Sequence, residues 1–175
     1  GLFQIMSEHG IKSARTPGKM RHLAADRAAL PAVGDWVSAE SVQNEKVVLI
    51  RRILPRRTKL SRKAAGETME EQVIAANLDT VLVMTAFNAD FNMRRLERFL
   101  TVSLESGAVP VLLINKLDAC EEPGPYLAQA KAAAGSAPVI AISAKTAEGF
   151  DALNAWIKPG LTVGLIGSSG VGKST

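Results

Sequence analysis

Cysteine and histidine are nearly absent from this chain. Cys120 is its only cysteine, and His9 and His22 are its only histidines. A single thiol cannot form an intramolecular disulfide, and these three residues cannot supply the four ligands of a structural Cys/His zinc site. The sequence therefore excludes a disulfide framework and a Cys/His zinc site assembled from this chain alone.

Long apolar runs are also missing. The longest of them, such as Val109 to Ile114, fall far short of the roughly 20 residues that a membrane span requires. The first residues carry no signal-peptide pattern of charge and hydrophobicity. With 47% hydrophobic and 22% charged residues over 175 positions, the composition predicts a globular cytoplasmic protein of one domain or two small ones, without a membrane partner.

Charge is divided unevenly along the chain. Residues 1–63 carry 13 Lys or Arg against 5 Asp or Glu, whereas residues 64–175 carry 8 against 12. A basic part followed by an acidic part predicts two domains with different partners. The basic part ends in a segment that could neutralise the phosphates of a nucleic acid, or could be a solvated linker. Its candidate RNA-binding residues are Arg51, Arg52, Arg56, Arg57, Lys59, Arg62 and Lys63.

The basic part shows short strand patterns separated by Gly, Pro and polar turns. Strands are predicted at residues 2–6, 18–23, 35–39 and 46–53. This pattern predicts an OB-type barrel, a five-stranded nucleic-acid-binding fold whose first strand would precede Gly1. Trp36 has two interpretations: a core residue, which we favour because aromatics more often fill barrels, or a platform on which RNA bases stack.

Beyond residue 64, strands alternate with helices. Strands are predicted at residues 80–85, 109–115, 139–142 and 161–166, and helices at residues 92–106, 126–134 and 150–157. The alternation predicts an α/β domain, a parallel sheet covered by helices. Ligands of such sheets bind at the carboxyl ends of the strands, so the following loops are the candidate functional loops. The helix at residues 92–106 has an apolar face and is interpreted as scaffold.

The last nine residues match the phosphate-loop pattern G-x-x-x-x-G-K-[ST] and follow a predicted buried strand. Glycines let backbone N–H groups surround a phosphate, the Lys173 ammonium would reach the outer phosphates, and the Ser174 hydroxyl would bind Mg²⁺. The alternative is an ordinary Gly/Ser turn, which rarely matches the whole pattern by chance. The residues predicted to hold the phosphates are Gly167, Ser168, Ser169, Gly170, Val171, Gly172, Lys173, Ser174 and Thr175.

Asn115, Lys116, Leu117 and Asp118 have the form N-K-x-D, which resembles the guanine-specificity motif of GTPases. The Asp118 carboxylate can accept two hydrogen bonds from the ring N–H and exocyclic amine of guanine, a donor pair that adenine lacks. The Lys116 stem can cover the flat base, and Asn115 would, by the resemblance, tie this loop to the phosphate loop. The alternative is a polar cap for the helix that follows.

Ser143, Ala144 and Lys145 follow the next predicted strand and resemble the S-A-K motif of GTPases. By that resemblance, the backbone N–H of Ala144 contacts the guanine oxygen. The alternative is a simple turn after a strand, with Ser143 as its turn residue. The three motifs together predict that the chain binds GTP or GDP with Mg²⁺.

The order of the motifs carries further information. GTPases ordinarily place the phosphate loop first, whereas here N-K-L-D and S-A-K precede it, so the G domain resembles a circularly permuted one. The basic barrel and the segments P-A-V-G-D-W-V at 31–37, L-S-R-K-A at 60–64 and Q-V-I-A-A-N at 72–77 extend the likeness over nearly the whole chain. The chain resembles the ribosome small-subunit-dependent GTPase family RsgA, also called YjeQ or EngC.

The resemblance implies a bacterial cytoplasmic GTPase that is stimulated by the small ribosomal subunit during late maturation, with rRNA bound by the N-terminal barrel. We expect a monomer with an OB-type domain at residues 1–63 and a permuted G domain at 64–175. Family members continue after the phosphate loop into switch segments and a zinc-binding domain, so Zn²⁺ is expected only outside this sequence.

The residues that orient the attacking water belong, by the same resemblance, to the switch segments, and no catalytic residue is assigned in this chain. Two functions therefore stay open. The first is a nucleotide-hydrolysing switch that acts on the ribosome. The second is a module that binds RNA and nucleotide without useful hydrolysis.

Overall fold

The chain divides between Asn77 and Leu78 into two units. A computed structural model describes residues 2–23, 27–42, 47–63, 71–88 and 91–174. Lys46, the start of a predicted strand, and Thr175, the last residue of the phosphate loop, lie outside the described residues, as does the expected domain boundary at residue 64. Each unit has its own sheet.

The first unit contains a four-stranded sheet and a separate hairpin. Its elements are β1 Leu2–Ser7, β2 Gly10–Arg15, α1 Gly18–Leu23, β3 Val37–Glu40, β4 Val48–Ile53, β5 Lys59–Lys63 and β6 Glu71–Ala76. The sheet has the order β1-β2-β4-β3, with β2 and β4 parallel and the other pairs antiparallel. The hairpin pairs β5 with β6. Because β6 closes this hairpin, the first unit extends to Asn77 rather than to the expected limit at residue 63.

Residues 18–23 form α1, so the strand predicted there is wrong. The Met20 N–H donates to the Pro17 carbonyl at 3.1 Å, which closes the first turn, and the segment contains no β-branched residue. The second strand is instead β2, which pairs with β1 along its whole length. The sequence pattern missed β2 because its Gly, Lys and Ala residues have low strand propensity.

Trp36 is 70% exposed, so its interpretation as a core residue is wrong. The next residue, Val37, packs against the core formed by Ala14, Val48 and Ile50. Successive side chains of an extended segment point to opposite faces, so Trp36 lies on the outer face of the sheet. Arg52 lies on β4, directly opposite Ser38 of β3.

The second unit is built on a parallel sheet, as predicted. Its elements are β7 Thr80–Ala86, α2 Met93–Glu105, β8 Val109–Asn115, α3 Gly124–Ala134, β9 Val139–Ala141 and β10 Val163–Gly167. The strand order is β10-β7-β8-β9, and every pair is parallel. All residues of β7 are buried, which is expected for a central strand covered on both faces. The core on one side includes Leu82, Val111, Ile142, Leu153 and Val171.

The helices position the loops at the carboxyl end of this sheet. The Asn92 side chain caps α2 by accepting the Arg95 N–H at 3.0 Å, and Leu96 and Leu100 face the core. The helix predicted at residues 150–157 is a shorter 3₁₀ helix, Phe150–Ala155. Within the described part of the chain, no helix is long and apolar enough to cross a membrane.

Candidate functional site

The site lies at the carboxyl edge of the parallel sheet of the second unit. Asn115 ends β8 opposite Ala86 of β7, and Gly167 ends β10 opposite Met84. The loops that follow β8, β9 and β10 therefore all leave the sheet at its carboxyl edge, with β7 lying between β10 and β8. The three motifs, which are far apart in the sequence, meet at this edge.

The phosphate loop follows β10 with close backbone packing. A Cβ atom at Gly167 would lie 2.2 Å from the Met84 carbonyl oxygen, so only glycine fits there. Gly172 has a φ of 94°, a conformation that side chains disfavour. The Lys173 ammonium donates to the carbonyls of Gly167, at 3.1 Å, and Ser168. This places the lysine charge beside the loop, where an anion held by its N–H groups would sit.

Asn115 joins all three motif loops. It is 3% exposed, and both ends of its amide are used. The Nδ2 group donates to the Val171 carbonyl of the phosphate loop at 2.9 Å, and Oδ1 accepts the Ala144 N–H of the S-A-K loop at 2.9 Å. The tie to the phosphate loop that the resemblance implied is therefore present. The Ala144 N–H is already engaged by Asn115, so a guanine oxygen would have to share that donor rather than receive it alone.

Asp118 is held in place by the S-A-K loop. Its Oδ1 atom accepts the buried Ser143 hydroxyl at 2.6 Å, and its Oδ2 atom lies 4.0 Å from the Lys145 ammonium. The Ser143 Oγ atom also accepts the Thr146 N–H at 3.1 Å, which fixes the hydroxyl as a donor to the carboxylate. The Asp118 side chain is 20% exposed. Each carboxylate oxygen has two lone pairs, so Asp118 can still accept two hydrogen bonds from a ligand.

A cavity of about 350 Å³ opens between these loops. Lys116, at one side of it, has a left-handed backbone with a φ of 67°. The volume is within the range of small-molecule sites. Its lining combines a carboxylate, two lysines and backbone of glycine-rich loop, which suits a ligand with a polar base and an anionic tail. The lining residues are Asn115, Lys116, Asp118, Ala119, Ala144, Lys145, Gly170 and Gly172.

The residues of the phosphate loop fit a magnesium ion bound together with phosphates. Ser174 is exposed, and its hydroxyl is a hard oxygen ligand of the kind that Mg²⁺ prefers. Among the described residues, no group of three or more His, Cys, Asp or Glu could hold a metal by itself. An ion at Ser174 would therefore take its other ligands from phosphate oxygens and water, which is usual for Mg²⁺.

Arg56 does not belong to an open RNA-binding surface, contrary to the prediction. Its side chain is only 13% exposed and forms a two-pronged ion pair with Asp35, with both N···O distances at 2.7 Å. Its Nη1 and Nη2 groups also donate to the carbonyls of Ala28 and Leu30, respectively. A single buried guanidinium therefore anchors the segment around residues 28–35, and its role is structural.

The other predicted RNA contacts lie at the surface of the first unit. Lys59 donates to Glu71 at 2.8 Å, and this hydrogen bond, followed by that of Ser61, lowers the pKa of the Glu71 carboxyl. Arg51 pairs with Glu40 at 2.7 Å while staying half exposed. The exposed basic residues of the predicted segment are Arg51, Arg52, Arg57, Lys59, Arg62 and Lys63.

Sequence reasoning missed one contact of the phosphate loop. Arg95, in the first turn of α2, donates from Nη1 to the Ser168 hydroxyl at 2.6 Å. The apolar face of the helix predicts only a scaffold role for it. Helical periodicity identifies the apolar face but not which distant loop a polar residue meets, so no signal in the sequence could have paired these two residues.

The RsgA GTPase family model matches residues 53–175 of the chain. The small ribosomal subunit biogenesis GTPase RsgA of Opitutus terrae is 43% identical over 179 residues, which cover 98% of this chain and 49% of that protein. The protein of the same name from Methanosarcina acetivorans is 48% identical over 145 residues, which cover 83% of this chain and 39% of that protein. The chain thus spans about half or less of the length of these relatives.

Two solved structures share the fold. YjeQ from Thermotoga maritima superposes with a TM-score of 0.72 at 24% identity, over 99% of this chain and 58% of that one. YloQ, described as a circularly permuted GTPase, superposes with a TM-score of 0.66 at 20% identity, over 98% of this chain and 57% of that one. The fold of this chain is therefore that of a circularly permuted GTPase with mixed α/β content.

Proposed function

The chain belongs to the RsgA GTPase family, and from that premise we propose that it carries the guanine-nucleotide site of a GTP-hydrolysing protein acting in late maturation of the small ribosomal subunit. The observation that carries this proposal is the pair of hydrogen bonds by which buried Asn115 joins the N-K-L-D, S-A-K and phosphate loops. One side chain sets the register of three loops around one cavity, which suits a ligand that touches all three.

Guanine is the base that this site would select. The Asp118 carboxylate, oriented by the Ser143 hydroxyl, would accept the ring N–H and exocyclic amine of guanine. The Lys116 stem would cover the base, and the N–H groups of the S-A-K loop would face its carbonyl oxygen. Adenine offers no such donor pair to the carboxylate, and the unmet hydrogen-bonding capacity of Asp118 would oppose its binding.

The phosphate loop would hold the phosphates. Backbone N–H groups from Gly167 to Thr175 would surround them, and the Lys173 ammonium would neutralise the outer ones. Mg²⁺, bound with the nucleotide, would take Ser174 Oγ as a ligand and offset negative charge on the phosphates. These residues bind and orient the nucleotide, and the water-orienting residue of hydrolysis is not assigned to this chain.

The first unit would bind rRNA. Its four-stranded sheet, with two antiparallel pairs joined through a parallel contact, supports an OB-type half-barrel. Its surface carries exposed arginines and lysines that suit RNA phosphates. Exposed Trp36, which directly precedes β3, adds an aromatic face on which an unpaired base can stack. The protein would act as a cytoplasmic monomer, with any zinc site outside these residues.

Phosphate release from GTP tests this function in the full-length protein, with and without purified small ribosomal subunits. We expect subunits to raise hydrolysis, and Lys173→Ala to weaken nucleotide binding by roughly 100-fold, because hydrogen bonds to charged groups contribute about 1.5–3 kcal/mol each. Equal rates with and without subunits would favour a binding module over a ribosome-stimulated switch. Preference for ATP over GTP would contradict the proposal altogether.

A further inference from the structure

We propose that Arg95 is a positioning residue of the phosphate loop, which sets the place of the Lys173 ammonium through Ser168. The inference rests on the proposed nucleotide site and assigns a function to a helix that its sequence pattern marks only as scaffold. Arg95 would not touch the nucleotide. It would prepare the loop that does.

The geometry places Ser168 between two cations. Arg95 donates from Nη1 to the Ser168 hydroxyl at 2.6 Å, and the Lys173 ammonium donates to the Ser168 carbonyl. The side chains of Arg95 and Ser168 are half-buried, whereas Lys173 is exposed. A bond that fixes the Ser168 side chain also restricts the peptide unit that carries its carbonyl. The direction of that carbonyl in turn decides where the Lys173 ammonium rests.

Helix stability does not explain an arginine at position 95. The N-terminus of a helix carries partial positive charge, and a cation in the first turn is unfavourable there. The same holds for Arg94, which precedes it and is exposed. Of these two neighbouring arginines, only Arg95 donates a hydrogen bond to the phosphate loop. The guanidinium is planar and rigid, which suits it to hold one hydroxyl in a defined position.

The effect should appear in phosphate binding. A misplaced lysine would lose part of its charge-assisted contact with the outer phosphates, whereas Asp118 and the base site would be untouched. A hydrogen bond involving a charged group accounts for about tenfold in affinity or somewhat more. We therefore expect Arg95→Ala and Ser168→Ala each to weaken GDP binding by roughly tenfold. The preference for GDP over ADP should stay unchanged.

Arg94→Ala is the matched control. It removes the same charge and the same side chain from the neighbouring position of the same helix turn, so general electrostatic attraction and helix propensity change alike. We expect it to change GDP affinity less than about twofold. Ser168→Ala removes only one half-buried hydroxyl group. It therefore keeps the proposal testable even if Arg95→Ala folds poorly.

The decisive measurement is a double-mutant cycle on the full-length protein, with fluorescent GDP titrated in the presence of Mg²⁺ and the thermal midpoint recorded without nucleotide. If Arg95 acts through Ser168, the double variant loses no more affinity than either single variant. Arg95→Lys, which keeps the charge, should recover part of the loss. Additive losses, or equal effects of Arg95→Ala and Arg94→Ala, would overturn the inference. A wild-type protein without guanine preference would instead overturn the proposed function, and the inference with it.

Discussion

At the level of single residues, Asp118 has the most specific chemical environment in the candidate site. Its carboxylate receives the Ser143 hydroxyl at 2.6 Å, and that hydroxyl is itself held by the Thr146 N–H. A carboxylate fixed by a neutral donor keeps its negative charge available for ligand donors. The protein's own hydrogen bonds thus orient the carboxylate, which reduces the ordering cost of binding.

Asp118→Asn should therefore change base selection without changing the fold. An amide offers one oxygen acceptor and one N–H₂ donor, so it loses a guanine donor contact but can donate to the additional carbonyl of xanthine. We expect GDP affinity to fall by at least about tenfold and xanthosine diphosphate affinity to rise. Competition titrations with both nucleotides check this, and thermal midpoints verify folding. Unchanged guanine preference in the variant would place the base elsewhere.

At the level of elements, the segment around residues 28–35 depends on one arginine. Arg56 follows β4 and reaches back to Asp35, whose side chain is 1% exposed, and to the carbonyls of Ala28 and Leu30. Asp35 also accepts the Ala32 N–H at 2.8 Å. These hydrogen bonds satisfy polar groups of a partly buried, irregular segment, as ladder hydrogen bonds do for a strand.

Arg56→Ala should destabilise the first unit strongly. Removing one partner of a buried ion pair leaves the Asp35 charge uncompensated, and such losses cost about 3–5 kcal/mol. Arg52→Ala is the control, because Arg52 is exposed and surface substitutions usually cost less than about 0.5 kcal/mol. Urea unfolding followed by tryptophan fluorescence measures both. Equal stability of the two variants would show that Arg56 is not an anchor.

At the level of the whole molecule, charge separates two tasks. Residues 1–63 are strongly basic and residues 64–175 are acidic overall. A basic surface attracts nucleic acid through release of counterions, which makes such binding depend steeply on salt. The proposed nucleotide binding in the second unit would depend instead on a small number of directed hydrogen bonds. The two activities should therefore respond differently to ionic strength.

Removing Arg52 and Lys63 together should flatten the salt dependence of small-subunit binding. Each lost phosphate contact reduces the slope of log affinity against log salt by about 0.7 on single strands, so the pair should reduce it by roughly 1.4.

Trp36→Ala should weaken binding by about 1–3 kcal/mol with an unchanged slope, because stacking carries no charge. GDP affinity should stay constant in both variants.

The control for the salt experiment is Arg94→Ala combined with Lys131→Ala, which removes two exposed charges from the second unit. We expect this variant to bind small subunits with the wild-type slope. If it flattens the slope as much as the first pair does, net charge rather than the basic surface governs binding. If neither variant changes the slope, the ribosome is contacted through other residues.

Much of the second unit was predictable because its signals are local and repeated. Alternating apolar runs and amphipathic segments predicted the parallel sheet, and the helix Asn92–Ser106 was placed within one residue of α2 at each end. The motifs occur where strands end, so their meeting at one edge followed from the geometry of parallel strands. In the first unit the signals are weaker because short segments have little periodicity to read: β2 is not predicted, and the strand predicted at residues 18–23 is α1.

The sequence by itself determined the motif chemistry of this protein, because the phosphate-loop, N-K-x-D and S-A-K patterns each specify residue types at fixed local spacing. Only the tertiary structure decided the partners of single polar side chains. In the tertiary structure, Arg56 forms an ion pair with Asp35 and Trp36 is exposed. The Ala144 N–H donates to Asn115, and Arg95 donates to Ser168. Such pairings depend on which distant elements pack together, and long-range packing leaves no periodic trace in the chain.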